Sequence, residues 1–237
     1  MTILHVTDFH FHPRWFEWLV EGAPPHDLLC ISGDILSADS PAAHGRQADQ
    51  VVSWLRRVEV PMVVCSGNHD LEHDDRHERW LPARWLLDLA GPRVAVDGGT
   101  LVWRGVRIHA VGCVAYPKGT SADVWVAHAP PTGLAVGRRA FGFDDGDPDL
   151  DVAAARHRPA VILSGHIHDP ATWFERRDGI VHINPGSAEH GRFPNHVIVD
   201  WDRRTAHRVS DSMPGARCEV ATWPAPHEQS ANTLLEV

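Results

Sequence analysis

The chain has 237 residues, 43% of them hydrophobic and 22% charged, a balance that suits one sizeable α/β domain. Its 31 acidic against 22 basic residues leave a net charge of −9, which argues against a broad cationic surface for a nucleic-acid polymer or anionic lipid. No apolar run approaches the roughly 18 residues of a membrane span, and the start at Met1-Thr2-Ile3 lacks the regions of a signal peptide, so a cytoplasmic protein is expected.

The first apolar run, Ile3 to Thr7, reads as a buried strand and leads into Asp8-Phe9-His10. A second, Leu28 to Ser32, ends at Gly33-Asp34, and Ala48 to Arg57 follows with apolar residues at helical spacing. The third, Met62 to Ser66, ends at Gly67-Asn68-His69-Asp70. Arg79 to Leu89 then reads as another amphipathic helix, with Trp80 and Trp85 on one apolar face and so expected in the core in preference to a base-stacking platform. Val94 to Val96 and Thr100 to Trp103 flank Asp97-Gly98-Gly99 as a hairpin would. Strands over Arg107 to Gly112 and Val124 to Ala127 come next, the latter ending at His128-Ala129-Pro130-Pro131.

A helix over Leu150 to Arg156 precedes the strand Ala160 to Ser164, which ends at Gly165-His166-Ile167-His168. Thr172 to Arg176 and Ile180 to Ile183 form a second hairpin around Arg177-Asp178-Gly179. After about Ser210 the chain turns rich in Pro, Ala and Ser, and is expected to be a C-terminal arm (211–237) on a catalytic domain (1–210), docking through Trp223. Strands alternating with helices predict an α/β fold with a largely parallel first part. The four cysteines, at 30, 65, 113 and 218, form no C-x-x-C pair and read mostly as small buried hydrophobes.

Five motifs therefore follow strand-like runs, and strand C-terminal ends gather at one edge of an open α/β sheet. In an extended backbone residues i and i+2 point to the same side, which would bring Asp8 to His10 and His166 to His168. The donors are carboxylate, imidazole and amide with no thiolate, a set suited to divalent manganese, iron, zinc or similar ions. They outnumber what one ion can use, so two divalent metal ions are implied.

Asp-x-His, Gly-Asp, Gly-Asn-His-Asp, His and Gly-His-x-His, in this order over roughly residues 3–200, resemble the calcineurin-like metallophosphoesterase superfamily. The resemblance implies a double β-sheet sandwich flanked by helices, four layers in all. It implies that Asp8, His10 and His168 hold one metal, that Asn68, His128 and His166 hold the other, and that Asp34 bridges them. The expected chemistry is attack on phosphorus by a metal-bridging hydroxide. In that scheme His69 stabilises or protonates the leaving group, and Asp70 fixes the orientation of His69.

Within the superfamily, Gly33-Asp34-Ile35-Leu36 lacks the continuation found in phosphoprotein phosphatases, and the third motif ends in Asp70 instead of Glu. The His128-Ala129-Pro130-Pro131 element resembles small bacterial phosphodiesterases. The substrate expected is a small phosphodiester, with nucleotides and cyclic nucleotides among the candidates. A phosphomonoesterase on the same site and a non-catalytic protein-binding scaffold are the alternatives, the second opposed by the presence of His69 with every ligand. His12 and His190 are candidates for the rim, while His5, His44, His73 and His182 are among those read as structural or exposed.

Overall fold

The computed structural model describes residues 1–115, 118–139, 142–188, 191–212 and 215–224. Its apolar runs form two sheets packed face to face. The first has seven strands in the order β15-β14-β13-β1-β2-β3-β6, and the second has six in the order β11-β12-β10-β9-β8-β7. Their ranges are β1 Thr2–Val6, β2 Leu28–Ser32, β3 Met62–Cys65, β6 Val94–Ala95, β7 Thr100–Trp103, β8 Val106–Val111 and β9 Val124–Ala127. The later strands are β10 Val161–Leu163, β11 Phe174–Arg177, β12 Ile180–Ile183, β13 His196–Asp200, β14 Thr205–Ser212 and β15 Gly215–Thr222. β4 (Glu72–Asp74) and β5 (Arg79–Leu81) pair only with each other.

Both faces of each central strand are buried, which is why these strands read as continuous apolar runs instead of alternating ones. Ile3, Leu28 and Val63 face Ile108, Val124 and Val161 across the inter-sheet core. On the outer side of the first sheet, Leu4, Leu29 and Val64 pack against Trp15, Phe16, Val51 and Leu55. The last four come from helices α1 (Pro13–Glu21) and α2 (His44–Leu55). On the outer side of the second sheet, Trp125 and Ile162 pack against Leu150 and Ala154 of α3 (Pro148–His157). The result is the expected four-layer sandwich. No described helix is long and apolar enough to cross a membrane.

Strands β1, β2, β3 and β6 are mutually parallel, as are β8, β9, β10 and β12. Their C-terminal ends deliver the five motifs to one rim of the sandwich. The hairpin expected around Asp178-Gly179 is present, with both residues at positive φ as a two-residue turn requires.

Three elements depart from the sequence reading. Val94 to Val96 and Thr100 to Trp103 do not form a hairpin, because β6 pairs with β3 in the first sheet and β7 with β8 in the second. Asp97-Gly98-Gly99 is thus the crossover between sheets, and the tight turn is Arg104-Gly105, again with both residues at positive φ. Arg79 to Leu89 is not one helix: it is strand β5 followed by a short 3₁₀ segment, Arg84–Leu89. Pro82 lacks the N–H a continuous helix would need there. Trp85 is buried as expected, whereas Trp80 is 60% exposed.

The boundary placed at 210/211 falls inside β14, which pairs along its whole length with β15 at the edge of the first sheet. Trp223 is buried in the inter-sheet core near Phe174. Residues 225–237 of the expected arm lie outside the described residues, as does His190.

Candidate metal centre

Asp8 and His10 follow β1, Asp34 follows β2, Asn68 and His69 follow β3, His128 follows β9, and His166 and His168 follow β10. All lie at the same rim of the sandwich. Asp8, His10 and His168 bring one ligand atom each to within 4.8 Å of one another, and so do Asp34, His128 and His166. Asp34 also lies within that range of His10 and His69, so its carboxylate stands between the two clusters. Asn68 Oδ1 is 3.1 Å from His128 Nε2, which attaches it to the second cluster.

The convergence does not arise from extended backbone, contrary to the i, i+2 expectation. Asp8, His10, Asp34 and His166 all have left-handed φ, at 53°, 43°, 48° and 67°. Asp and His tolerate this region better than most residues, yet it is sparsely populated and strain there is common at functional sites. The loops that hold it are heavily bonded. The backbone N–H of Asp8 donates to the Gly33 carbonyl, and that of His10 to the Asp34 carbonyl. His69 N–H donates to Asp34 Oδ1 at 2.8 Å, and His166 N–H to Asp8 Oδ2 at 3.1 Å. Gly165 must be glycine: a Cβ there would collide with the Thr7 hydroxyl and the Asp8 carboxylate. A Cβ on Gly67 would likewise strike Asp34.

Several supporting residues lie outside the five motifs, among them the Asn184-Pro185-Gly186-Ser187 segment, which the sequence suggested was a tight turn bearing more on family resemblance than on a role. Asn184, fully buried just past β12, donates to the carbonyls of Val136, Gly165 and Ile167 and accepts from Gly186 N–H, so it locks the Gly-His-x-His loop. The Ser187 hydroxyl reaches the Asp8 carbonyl at 3.2 Å. The Asn184-Pro185-Gly186-Ser187 turn therefore supports the site directly. The Thr7 hydroxyl sits 2.8 Å from Asp8 Oδ2.

Asp70 does not orient His69. Its Oδ1 accepts from the N–H groups of Ile35 and Leu36 at 2.9 and 2.8 Å, and its Oδ2 from Gly67 N–H at 2.8 Å. It is a fully buried clamp between the loops that carry Asp34 and Asn68. The partner of His69 Nδ1 is instead the Ala38 N–H, at 3.3 Å. Nδ1 acting as acceptor leaves the proton of the neutral ring on Nε2, which lies 3.9 Å from Asp34 Oδ2.

Electrostatics follows from burial and proximity. Burial opposes ionisation of Asp34, but His128, 3.2 Å away, holds its carboxyl well below the usual range. Burial likewise opposes the charge on His128, and the Asp34 and Asp8 carboxylates outweigh it, raising His128 to about 10. Asp8 is lowered as well: His168 and His128 overcome the cost of burial. Burial lowers His10 and His166, the latter helped by the neighbouring His128, a shift that favours the neutral ring. Burial, reinforced by the Asp34 charge, pushes Asp70 upward, while backbone N–H donors from Gly67 and Leu36 pull it back.

The donors fit divalent metal. His10 Nε2 lies 3.0 Å from His168 Nε2, and His166 Nδ1 lies 3.2 Å from His128 Nε2. Two cis donors on one divalent ion at about 2.1 Å are about 3 Å apart. His128 Nδ1 is 2.8 Å from the Ser32 carbonyl and donates to it, which turns Nε2 toward the cluster, where a metal ion would take the place of its proton.

Residues 1–204 match the calcineurin-like phosphoesterase superfamily domain, and the chain belongs to that superfamily. The fold and this donor set are those of a calcineurin-like phosphoesterase domain with candidate metal-binding residues. Over 163 residues the chain is 27% identical to a probable cyclic nucleotide phosphodiesterase from Synechococcus sp., a match covering 60% of this chain and 58% of the relative. The chain thus spans less than two thirds of that relative's length. Among solved structures, TT1561 of Thermus thermophilus shares the fold with a TM-score of 0.60 at 15% identity, over 93% of this chain and 98% of that one. A Vps29 single mutant from Entamoeba histolytica does so with a TM-score of 0.51 at 14% identity, over 94% and 100%.

Proposed function

We propose that this protein hydrolyses a small phosphodiester, of the nucleotide or cyclic-nucleotide class, at a centre of two divalent ions. The observation that carries this reading is the pair of ligand clusters with Asp34 standing between them. Asp8, His10 and His168 would hold one ion, and Asn68, His128 and His166 would hold the other. Such ions supply charge that binds the phosphate and makes a water nucleophilic at neutral pH. The similarity to the Synechococcus phosphodiesterase supports the diester over the monoester.

The chain's own residues do the rest. His69 lines the pocket of about 330 Å³ together with Asp8, His10 and His168. Its ring stands perpendicular to that of His10, with centroids 4.8 Å apart, so it flanks the ligands on the open side. As water attacks phosphorus and the P–O bond to the leaving group breaks, His69 Nε2–H protonates the departing oxygen. The Ala38 N–H keeps the proton on that nitrogen. Asp70 is a positioning residue, holding the Asp34 and Asn68 loops in register.

The reading is tested by hydrolysis of bis-p-nitrophenyl phosphate beside p-nitrophenyl phosphate, with metal-stripped protein before and after manganese and with His69→Ala as control. Metal-dependent diester cleavage that collapses in the variant is the expected result. Cleavage of the monoester alone would transfer the assignment to a phosphatase. No turnover of either by manganese-loaded protein would overturn the reading.

A further inference from the structure

Trp80 is one of several exposed apolar side chains, and such residues taken singly carry no meaning. Its surroundings distinguish it. The β4–β5 hairpin stands outside both sheets, and its register sets His73 directly opposite Trp80, so the two side chains share a face. That face borders a cleft of about 780 Å³ whose inner wall is Asn68 and His69. His69 therefore lines both the metal pocket and this cleft. The His69 ring is thus a wall common to the two cavities.

The cleft suits one kind of leaving group. Its described lining includes no Lys or Arg but does include the carboxylates of Glu72 and Asp75, so it repels a second anionic group. Apart from these, Leu71, Ala38 and the Trp80 indole give it an apolar wall. The indole is braced from the side: its centroid is 4.8 Å from that of His73, whose Nδ1 pairs with Asp75 at 2.6 Å. A pinned, solvent-facing indole presents a flat surface with little ordering left to lose when a ring stacks on it. His44 and His73, which the sequence suggested were only structural or exposed, are wall residues here.

From this geometry we infer that Trp80 is the stacking platform for the nucleobase of a nucleotide substrate, with the phosphate at the metal centre and the base lying in the hairpin cleft. The inference rests on the proposed site and names its substrate class: a neutral, planar heterocycle, with the two carboxylates available to accept from an exocyclic amino group.

The test compares AMP with ribose 5-phosphate, which carries the same phosphate and sugar without the base. Binding of each to manganese-loaded protein is measured by calorimetry for the wild type, Trp80→Ala and Trp80→Phe. Wild-type protein is expected to prefer AMP. Trp80→Ala should shrink the AMP-to-ribose 5-phosphate preference by about 5- to 100-fold, and Trp80→Phe should restore most of it. An unchanged preference in Trp80→Ala would overturn the inference, as would equal weakening of both ligands or no preference in the wild type. These readouts need no turnover, so failure of the phosphodiesterase reading would show separately, as absent metal-dependent hydrolysis.

Discussion

Replacing Asp70 by asparagine separates its two conceivable roles. The Asn amide oxygen can keep the bonds from Ile35 and Leu36, but its NH₂ group would then face the Gly67 N–H now held at 2.8 Å. Two buried donors are left without acceptors, and each such loss costs about 1–3 kcal/mol, so destabilisation of about 2–6 kcal/mol is expected. Asp70→Ala strands three backbone N–H groups and should cost about 3–9 kcal/mol, less where water enters the vacated space. Urea unfolding of metal-free protein at neutral pH measures both. If Asp70 acts only as a clamp, folded and manganese-loaded Asp70→Asn should retain kcat within about tenfold, whereas His69→Ala should lose about 10²- to 10³-fold. Asp70→Asn that unfolds at the wild-type midpoint yet loses as much kcat as His69→Ala would refute the clamp and restore Asp70 as the partner of His69.

Metal stoichiometry on dialysed protein should fall by about one ion in His168→Ala and by about one in His128→Ala, while Asp34→Ala should weaken both sites; equal loss in all three would count against two clusters sharing one carboxylate. Stability should depend on pH through His5 and His182, which burial lowers to about 3 from an ordinary 6.5. Between those values the unfolded chain binds protons that the native state refuses. Stability is therefore complete above pH 6.5 and declines as pH falls, by up to about 1.4 kcal/mol per pH unit for each group. His182 Nδ1 is also buried without a hydrogen-bond partner. His182→Leu should accordingly flatten the pH 5–7 decline measured by urea unfolding, and an unaltered slope would exclude His182 as its source.

The sequence alone determined the sheets' central strands and the chemistry at their ends. A strand buried on both faces must be a short apolar run, and parallel strands must present their C-terminal ends together. The order of Asp8, His10, Asp34, Asn68, His128, His166 and His168 was therefore legible as one constellation. Tertiary structure alone decided the rest, because those features depend on atoms distant in sequence or on backbone the residue types do not dictate. Left-handed φ at Asp8, His10, Asp34 and His166 is imposed by hydrogen bonds between loops. Asp70 finds acceptor work with backbone N–H groups of residues 35 and 36, and no local pattern announces such a partner. Asp97-Gly98-Gly99 has the residues of a hairpin turn, yet the strands on either side had different sheets to complete. The helical period of Arg79 to Leu89 hid the same kind of ambiguity: once Pro82 breaks the helix, β5 pairs with β4, and Trp80 is turned out of the core toward the cleft beside His69.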